Sequence, residues 1–421
     1  MKKYSILITL CILFLIPNVR ASSNIEARIG NRFFDTLEEA IQIASSEDII
    51  TLGNNVNLED PLLIQKNINI NLNGKTIEGK EKVFVVSGGS LNLTGNGTIR
   101  ELSPYYGAIF MEGSTDPNKE DYSTLSVSSG ITLEGWSGIF IDHVDKVGYG
   151  VLVNMNGTIK AVDDINGGSG TGVYVNGNIK HLENSPIINL GKTAKITSTG
   201  NGIYASGYAT YVIDGSYIEG DEAALAIKSG KFRILSGTLV SNGMDKTPTS
   251  GNNNGINPSG TAIQIESNNS YAGNIELEIL DGTFKSKNSH VIYEYTVTPA
   301  STKVKNISLK SGNYISLKDK DVFLLSDSFK STHKSFISGG TFSSNPSSYL
   351  KSGYTTKQNS DGNYEVLTST LKTFLEKTGN DESSNNIFIW VFVIIMTIFL
   401  SLLAYFKRVS ILNILNKLRK S

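Results

Sequence analysis

Cysteine is nearly missing: the single one in 421 residues is Cys11, inside an apolar leader. A disulfide-stapled secreted scaffold is therefore excluded. Leu10, where lipid modification of a cysteine needs a small side chain, also argues against a lipoprotein. Histidine is scarce, and His143, His181, His290 and His333 stand far apart without ligand spacing, so zinc has no support. Arginine between residues 22 and 386 is limited to Arg28, Arg32, Arg100 and Arg233. Proline occurs nine times, and no amphipathic helical pattern of useful length follows the first twenty or so residues of the mature chain.

Charge of one sign is also lacking at first sight, since the formal net charge is −1. That balance hides a division. Without the three positives Lys2, Lys3 and Arg20 and the five positives of the last 15 residues, 30 basic residues face 39 acidic ones, a net of −9. Nucleic acid is excluded as a partner, because a phosphate backbone demands clustered positive charge.

What is present begins at the two ends. "MKKYSILITLCILFLIPNVRASS" has Lys2 and Lys3, an apolar run from Ile6 to Ile16, and Val19, Arg20 and Ala21 before a cut. This predicts a secretory signal peptide over 1–21. Residues 387–406 form a twenty-residue run without charge, enough as a helix to cross the ~30 Å hydrocarbon core. Lys407, Arg408, Lys417, Arg419 and Lys420 follow with no acidic residue, so the basic tail 407–421 is expected in the cytoplasm and everything before the span outside.

Between the ends, Gly, Asn, Ser and Thr break the chain into runs of strand length. "GAIFM" is followed by "LSVSSGITLEG", "GVYV" by "INLGKTAKITS", "GIYA" by "YVIDGSYIEG", and "ALAI" by "FRILSGTLVS". An apolar strand opened by a small residue recurs at irregular but related intervals, the mark of a repeat architecture. Such short strands cannot bury a face singly, whereas stacking them in parallel buries Val, Ile and Leu in one column. Glycines in "SG", "DG" and "GG" supply the corners. The expected fold is all-β, a parallel solenoid over 22–366 of about 13 rungs and ~60 Å, followed by a polar linker, 367–386.

"ARIGNRFFDTLEEAIQIASSEDIITL", "ININLNGKTIEG", "GSLNLTGNGTIR" and "ISGGTFSSNPSSYLKSGYTTKQNSDGNYEVL" together resemble the right-handed parallel β-helix, or pectate-lyase-like, surface proteins of bacteria. The resemblance covers about 26–367. Thr36 with Glu39 forms a capping box, starting a helix through about Ala44 whose Leu37, Ala40, Ile41 and Ala44 share one face. That face is expected to cover the open end of the coil.

Enzymes of this fold act on polysaccharides, so each candidate for chemistry has to be weighed. Phe140, Ile141, Asp142 and His143 resemble the Trp-Ile-Asp-His stretch of pectate lyases, with Phe140 in place of Trp. The lyases' paired arginines have no counterpart, and a strand end with surface Asp and His is the simpler account. Asp163 and Asp164 are adjacent carboxylates of the kind inverting hydrolysis needs, but the related hydrolases' Gly-His-Gly and Arg-x-Lys segments are missing, which favours a solvated loop. Gly167 to Gly172 lacks the Lys and Ser/Thr of a phosphate loop. Turn aspartates allow weak Ca²⁺ binding without a repeat that would fix it, and no other cofactor is implied. Tyr105, Tyr106, Tyr174, Tyr204 and Tyr208 read either as packing or as a sugar-stacking stripe.

The last motif is "LEKTG" at 375–379, which resembles the Leu-Pro-x-Thr-Gly signal read by sortases. Leu375, Thr378 and Gly379 match, while Glu376 replaces the proline that bends the peptide. Two anchors stay open: retention in the cell membrane by the 387–406 helix, or attachment to the wall. The functional expectation is a non-enzymatic cell-surface protein in adhesion, structure or glycan binding, with glycans or surface proteins as partners. A membrane-tethered polysaccharide lyase or hydrolase is the alternative.

Overall fold

The computed structural model describes residues 25–373 except 103–105, 143–147, 177–181 and 247–259. The expected signal peptide, the LEKTG motif, the apolar run 387–406 and the basic tail lie outside the described residues, as do Tyr105, His143 and His181. Among the described residues no helix is long and apolar enough to cross a membrane.

In the larger of two units the described residues from 25 to 351, with 358–365, are mostly strands in a solenoid-like stack. The chain visits three parallel ladders in turn. The first runs from Ile49–Leu52 through Asn67–Asn71, Ser90–Thr94, Ser123–Val127 and Val151–Met155 to Val304–Leu309. The second runs from Val56–Leu58 through Lys75–Gly79, Gly97–Glu101 and Ile131–Gly135 to Thr341–Phe342. The third is a separate sheet of ten strands, from Leu62–Ile64 to Phe323–Leu324. Thr210–Gly220 and Gly230–Ser241 each cross from the first ladder to the second as one bent strand. The bend falls at Gly215 and Gly237, whose φ values of 82° and 145° a side chain would resist.

Among the described residues ten complete coils replace the about thirteen expected from a uniform rung length. Coil length varies from 20 residues (Ile49 to its partner Asn69) to 45 (Gly230 to Ile275), because loops are inserted at the corners. The two-part unit legible in the sequence is three strands, its second part being split by a corner such as Ser128, Ser129 and Gly130.

Alternation along each strand sends every second residue inward, where registers align it with its neighbours one rung away. One interior column on the first ladder is Ile68, Leu91, Leu125, Val153, Ile188, Tyr211, Phe232, Leu277 and Ile307, all buried. Each full burial of such a side chain is worth about 1.5–3 kcal/mol. Rings stack within the interior: Tyr211 on Phe232 at 4.2 Å, and Phe284, Tyr314 and Phe342 in series at 4.9 and 4.5 Å.

The small residue that opens the third-ladder strands has a steric cause. Gly138, Gly172 and Gly202 sit where Ile159, Ile196 and Ile218, on the second-ladder strand of the next coil, press on the backbone. A Cβ on Gly172 would stand 2.3 Å from Cγ2 of Ile196 and 2.5 Å from the Gly202 carbonyl oxygen. Gly172→Ala is expected to lower stability by about 1–3 kcal/mol through this overpacking. An unchanged urea midpoint would refute it.

At the N-terminal side, helix Leu37–Ile43 starts where Thr36 Oγ1 accepts a hydrogen bond from the Glu39 amide at 3.2 Å. It buries Leu37, Ala40 and Ile41 and packs against Ala27–Ile29, Arg32–Phe34 and Ile49–Leu52. Lys66 Nζ donates to the carbonyls of Gln42 and Ala44 at 2.8 and 2.7 Å, satisfying the helix's C-terminal end. The smaller unit, with 352–357 and 366–373 described, is held by Ser369 N donating to Gly353 O at 2.9 Å and Lys372 Nζ to Thr356 O at 3.3 Å.

Candidate functional site

The outward side of the third ladder carries the densest group of chemically capable side chains. Its strands turn Ile and Val inward at alternate positions, so the residues between them form a column along the surface. That column is Phe110, Phe140, Tyr174, Tyr204, Ala226, Gln264 and Tyr293. The four rings lie nearly parallel, with centroids 5.5, 4.8 and 4.9 Å apart, close to the spacing of adjacent strands. Each ring therefore covers its neighbour's face and offers only its edge. Trp136 leans on Phe140 and Tyr174, and its Nε1 donates to the Ser169 carbonyl at 3.1 Å. Lys82 stands over the first ring, Phe110, at 4.2 Å. Tyr174 and Tyr204 are thus packing in the main, with no open ring face between them for a sugar.

Beyond Tyr204 the column becomes polar and closes over. Lys228, just past strand Ala223–Ile227, forms an ion pair with Glu266 of Thr261–Ser267, the two side chains being 2% and 1% exposed. The Lys228 ammonium lies over the rings of Tyr204 and Tyr271 at 5.2 and 5.3 Å. Asn268 Nδ2 adds a bond to Glu266 at 2.8 Å. Burial pushes Lys228 below the usual lysine range against the pull of Glu266. It pushes the hydroxyls of Tyr204 and Tyr271 well up, and that of Tyr174 up to about 12. Lys303, fully buried nearby, donates to the carbonyls of Tyr271 and Gly273 at 3.0 and 2.9 Å, and desolvation lowers it to about 8. An acid, a base and phenols meet here, but under cover that a polymer cannot enter.

Asp142 ends strand Ser137–Asp142, outward and in register with Glu112. Asp163 and Asp164 precede strand Thr171–Val175 at the opposite edge of the same ladder. Five residues of strand, at ~3.3 Å each, put ~17 Å between the two places, beyond the ~5–10 Å of a glycosidase carboxylate pair. Asp164 is engaged in its own loop, where Oδ1 accepts from the amides of Asn166 and Gly168 at 2.7 and 2.8 Å. Asp163 is exposed, and its charge is one of the causes, after burial, that raise the Glu222 carboxyl. Among the described residues no group of three or more His, Cys, Asp or Glu is placed to hold a metal ion.

Two open cavities lie on the other ladders. One, of about 320 Å³, is bordered by Leu102 and Val162 and by Arg100, Glu134 and Lys160. These charges alternate up the second ladder: Arg100 bonds Glu78 and Glu134, each at 2.7 Å, and Lys160 bonds Glu134 at 3.1 Å. The other, of about 390 Å³, lies near the C-terminal side of the first ladder.

Sequence reasoning missed Lys228, Glu266, Tyr271 and Lys303. Their separation in the chain, up to 75 residues between Lys228 and Lys303, is closed only by stacking. The one local signal was Glu266 directly after the apolar alternation of Ile263 and Ile265. Searches of family models, of curated proteins and of solved structures find no match to this chain.

Proposed function

We propose that this protein is a right-handed parallel β-helix displayed on a cell surface, where it acts without catalysis as an extended glycan-binding or adhesive module. The handedness follows the rule that parallel strand-crossover-strand connections are right-handed in about 98% of cases. The observation that carries the functional reading is the set of outward polar columns repeated at rung spacing: alternating charges on the second ladder and asparagines on the first, where Asn92 donates to Asn69 at 3.3 Å and Asn189 to Asn154 at 2.9 Å. Faces built this way suit extended, repeating ligands. The leader-like N-terminus, the apolar run 387–406 and LEKTG support a position outside the cell, held by membrane or wall.

The test is binding of full-length protein in detergent to a panel of plant, bacterial and animal glycans, run beside an assay for released products. Binding without product release is expected. Product release from any polysaccharide would favour the lyase or hydrolase alternative instead; absence of binding to every glycan and surface protein tried would sink the module reading. Wall digestion that frees a chain ending at Thr378 would identify sortase attachment, and release at full mature size by detergent alone would identify the membrane anchor.

A further inference from the structure

We infer that the cavity of about 390 Å³ bordered by Lys305, Asn306, Thr332, His333, Lys334 and Ser335 binds the carboxylate or sulfate group of an acidic oligosaccharide. The inference deepens the glycan-binding reading and rests on it for the class of ligand.

The backbone itself is arranged around this cavity. Strand Val304–Leu309 pairs Val304 with Ile275 and Asn306 with Glu276, so Lys305 is an extra residue with no partner in that ladder. Such a bulge bends the strand and re-aims the side chain it adds. The opposite wall, Thr332 to Phe336, leaves the end of helix Asp327–Thr332 and returns to the first ladder at Ile337, which pairs with Leu309. The two walls are thus consecutive coils, and the cavity is the gap their departure from regular stacking leaves.

The charges bordering it are of one sign. Lys305 and Lys334 are exposed, and among the described residues neither is in an ion pair. Other cations near this face are matched: Lys231 with Glu276 at 3.6 Å, Arg233 with Glu278 at 3.2 Å, and Lys310 with Glu278 at 2.6 Å. The carboxylates nearest in register are therefore engaged, and Asp327 of the adjoining helix is bonded by Lys330 at 3.3 Å. His333 stacks on Phe329 with ring centroids 4.4 Å apart and has Nδ1 within 2.9 Å of Thr332 Oγ1, which leaves Nε2 for a ligand. Two ammonium groups, a ring nitrogen, an amide and hydroxyls are the donors an oxyanion on a hydroxylated ring requires. In an exported body of net −9, such a cationic recess is a local exception that selects by charge.

The experiment titrates full-length protein in detergent with four probes: a uronic-acid oligosaccharide, a sulfated oligosaccharide, a neutral oligosaccharide of equal length, and inorganic sulfate. At least one acidic oligosaccharide is expected to bind more tightly than the neutral one, with affinity falling as salt rises. The uronate and sulfate arms identify the group. Lys305→Ala with Lys334→Ala is expected to weaken that binding by about tenfold or more, and arginine at both positions to restore most of it. Circular dichroism confirms that the variants fold. If acidic glycans bind but the double alanine variant binds them within about twofold, the cavity assignment is overturned while the glycan reading stands. If inorganic sulfate alone binds in a lysine-dependent way, the cavity takes anions but its oligosaccharide assignment is overturned.

Discussion

Lys228→Met is expected to lower the stability of the folded chain by about 3–5 kcal/mol, read as a shift in the urea unfolding midpoint. The cause is not the lost attraction, which desolvation largely offsets, but the carboxylate of Glu266 left buried without its counter-charge. Both side chains are almost wholly covered, and the ammonium lies over the rings of Tyr204 and Tyr271, so methionine there leaves Glu266 charged and desolvated. Replacing both partners, Lys228→Met with Glu266→Leu, is expected to recover most of the loss, since neither charge then stays buried alone. A double variant as unstable as the sum of the two single ones would show that the pair is not coupled.

Lys303 is expected to make the protein more stable between pH 8 and pH 10 than at pH 7, by up to about 3 kcal/mol. Its ammonium loses water on folding, which lowers its pKa from 10.5 to about 8. In that window the unfolded chain holds a proton the folded chain has released, so stability rises with pH. The neutral amine can still donate to both carbonyls, of Tyr271 and Gly273. Above about pH 10 the sign reverses for a separate reason: buried hydroxyls such as Tyr204, Tyr211 and Tyr314 have pKa values pushed up, so ionisation then favours the unfolded chain. Lys303→Met removes the first effect and keeps the second. Urea midpoints measured from pH 7 to 10 should rise more steeply for the native chain than for the variant, which keeps the contribution of Lys228; parallel curves would sink the assignment.

The sequence by itself determined the architecture, because period-two alternation and glycine corners are local properties. "INLNGKTIEG" and "GSLNLTGNGTIR" each contain an inward series and a turn that any parallel stack would use. Thr36 and Glu39 likewise announced a helix that is there. Even the small residue recurring at the start of several third-ladder strands was visible, though its reason, an isoleucine pressing on Gly172, was not.

Only the tertiary structure decided which side chains meet. Rung spacing joins residues separated by whatever the loops contain, so Lys228 reaches Glu266 across 38 positions while Asp142 and Asp163, only 21 apart, end at opposite edges of one ladder. Glu294 makes the same point. Alternation puts it inside with Ile292 and opposite Ile265, where an apolar residue belongs; the structure instead surrounds it with the hydroxyls of Ser267, Thr296 and Ser326, the first two at 2.6 Å. Local pattern sets which way a side chain points, but in a coil of variable length the neighbour it finds there is fixed by register, and register belongs to the stack.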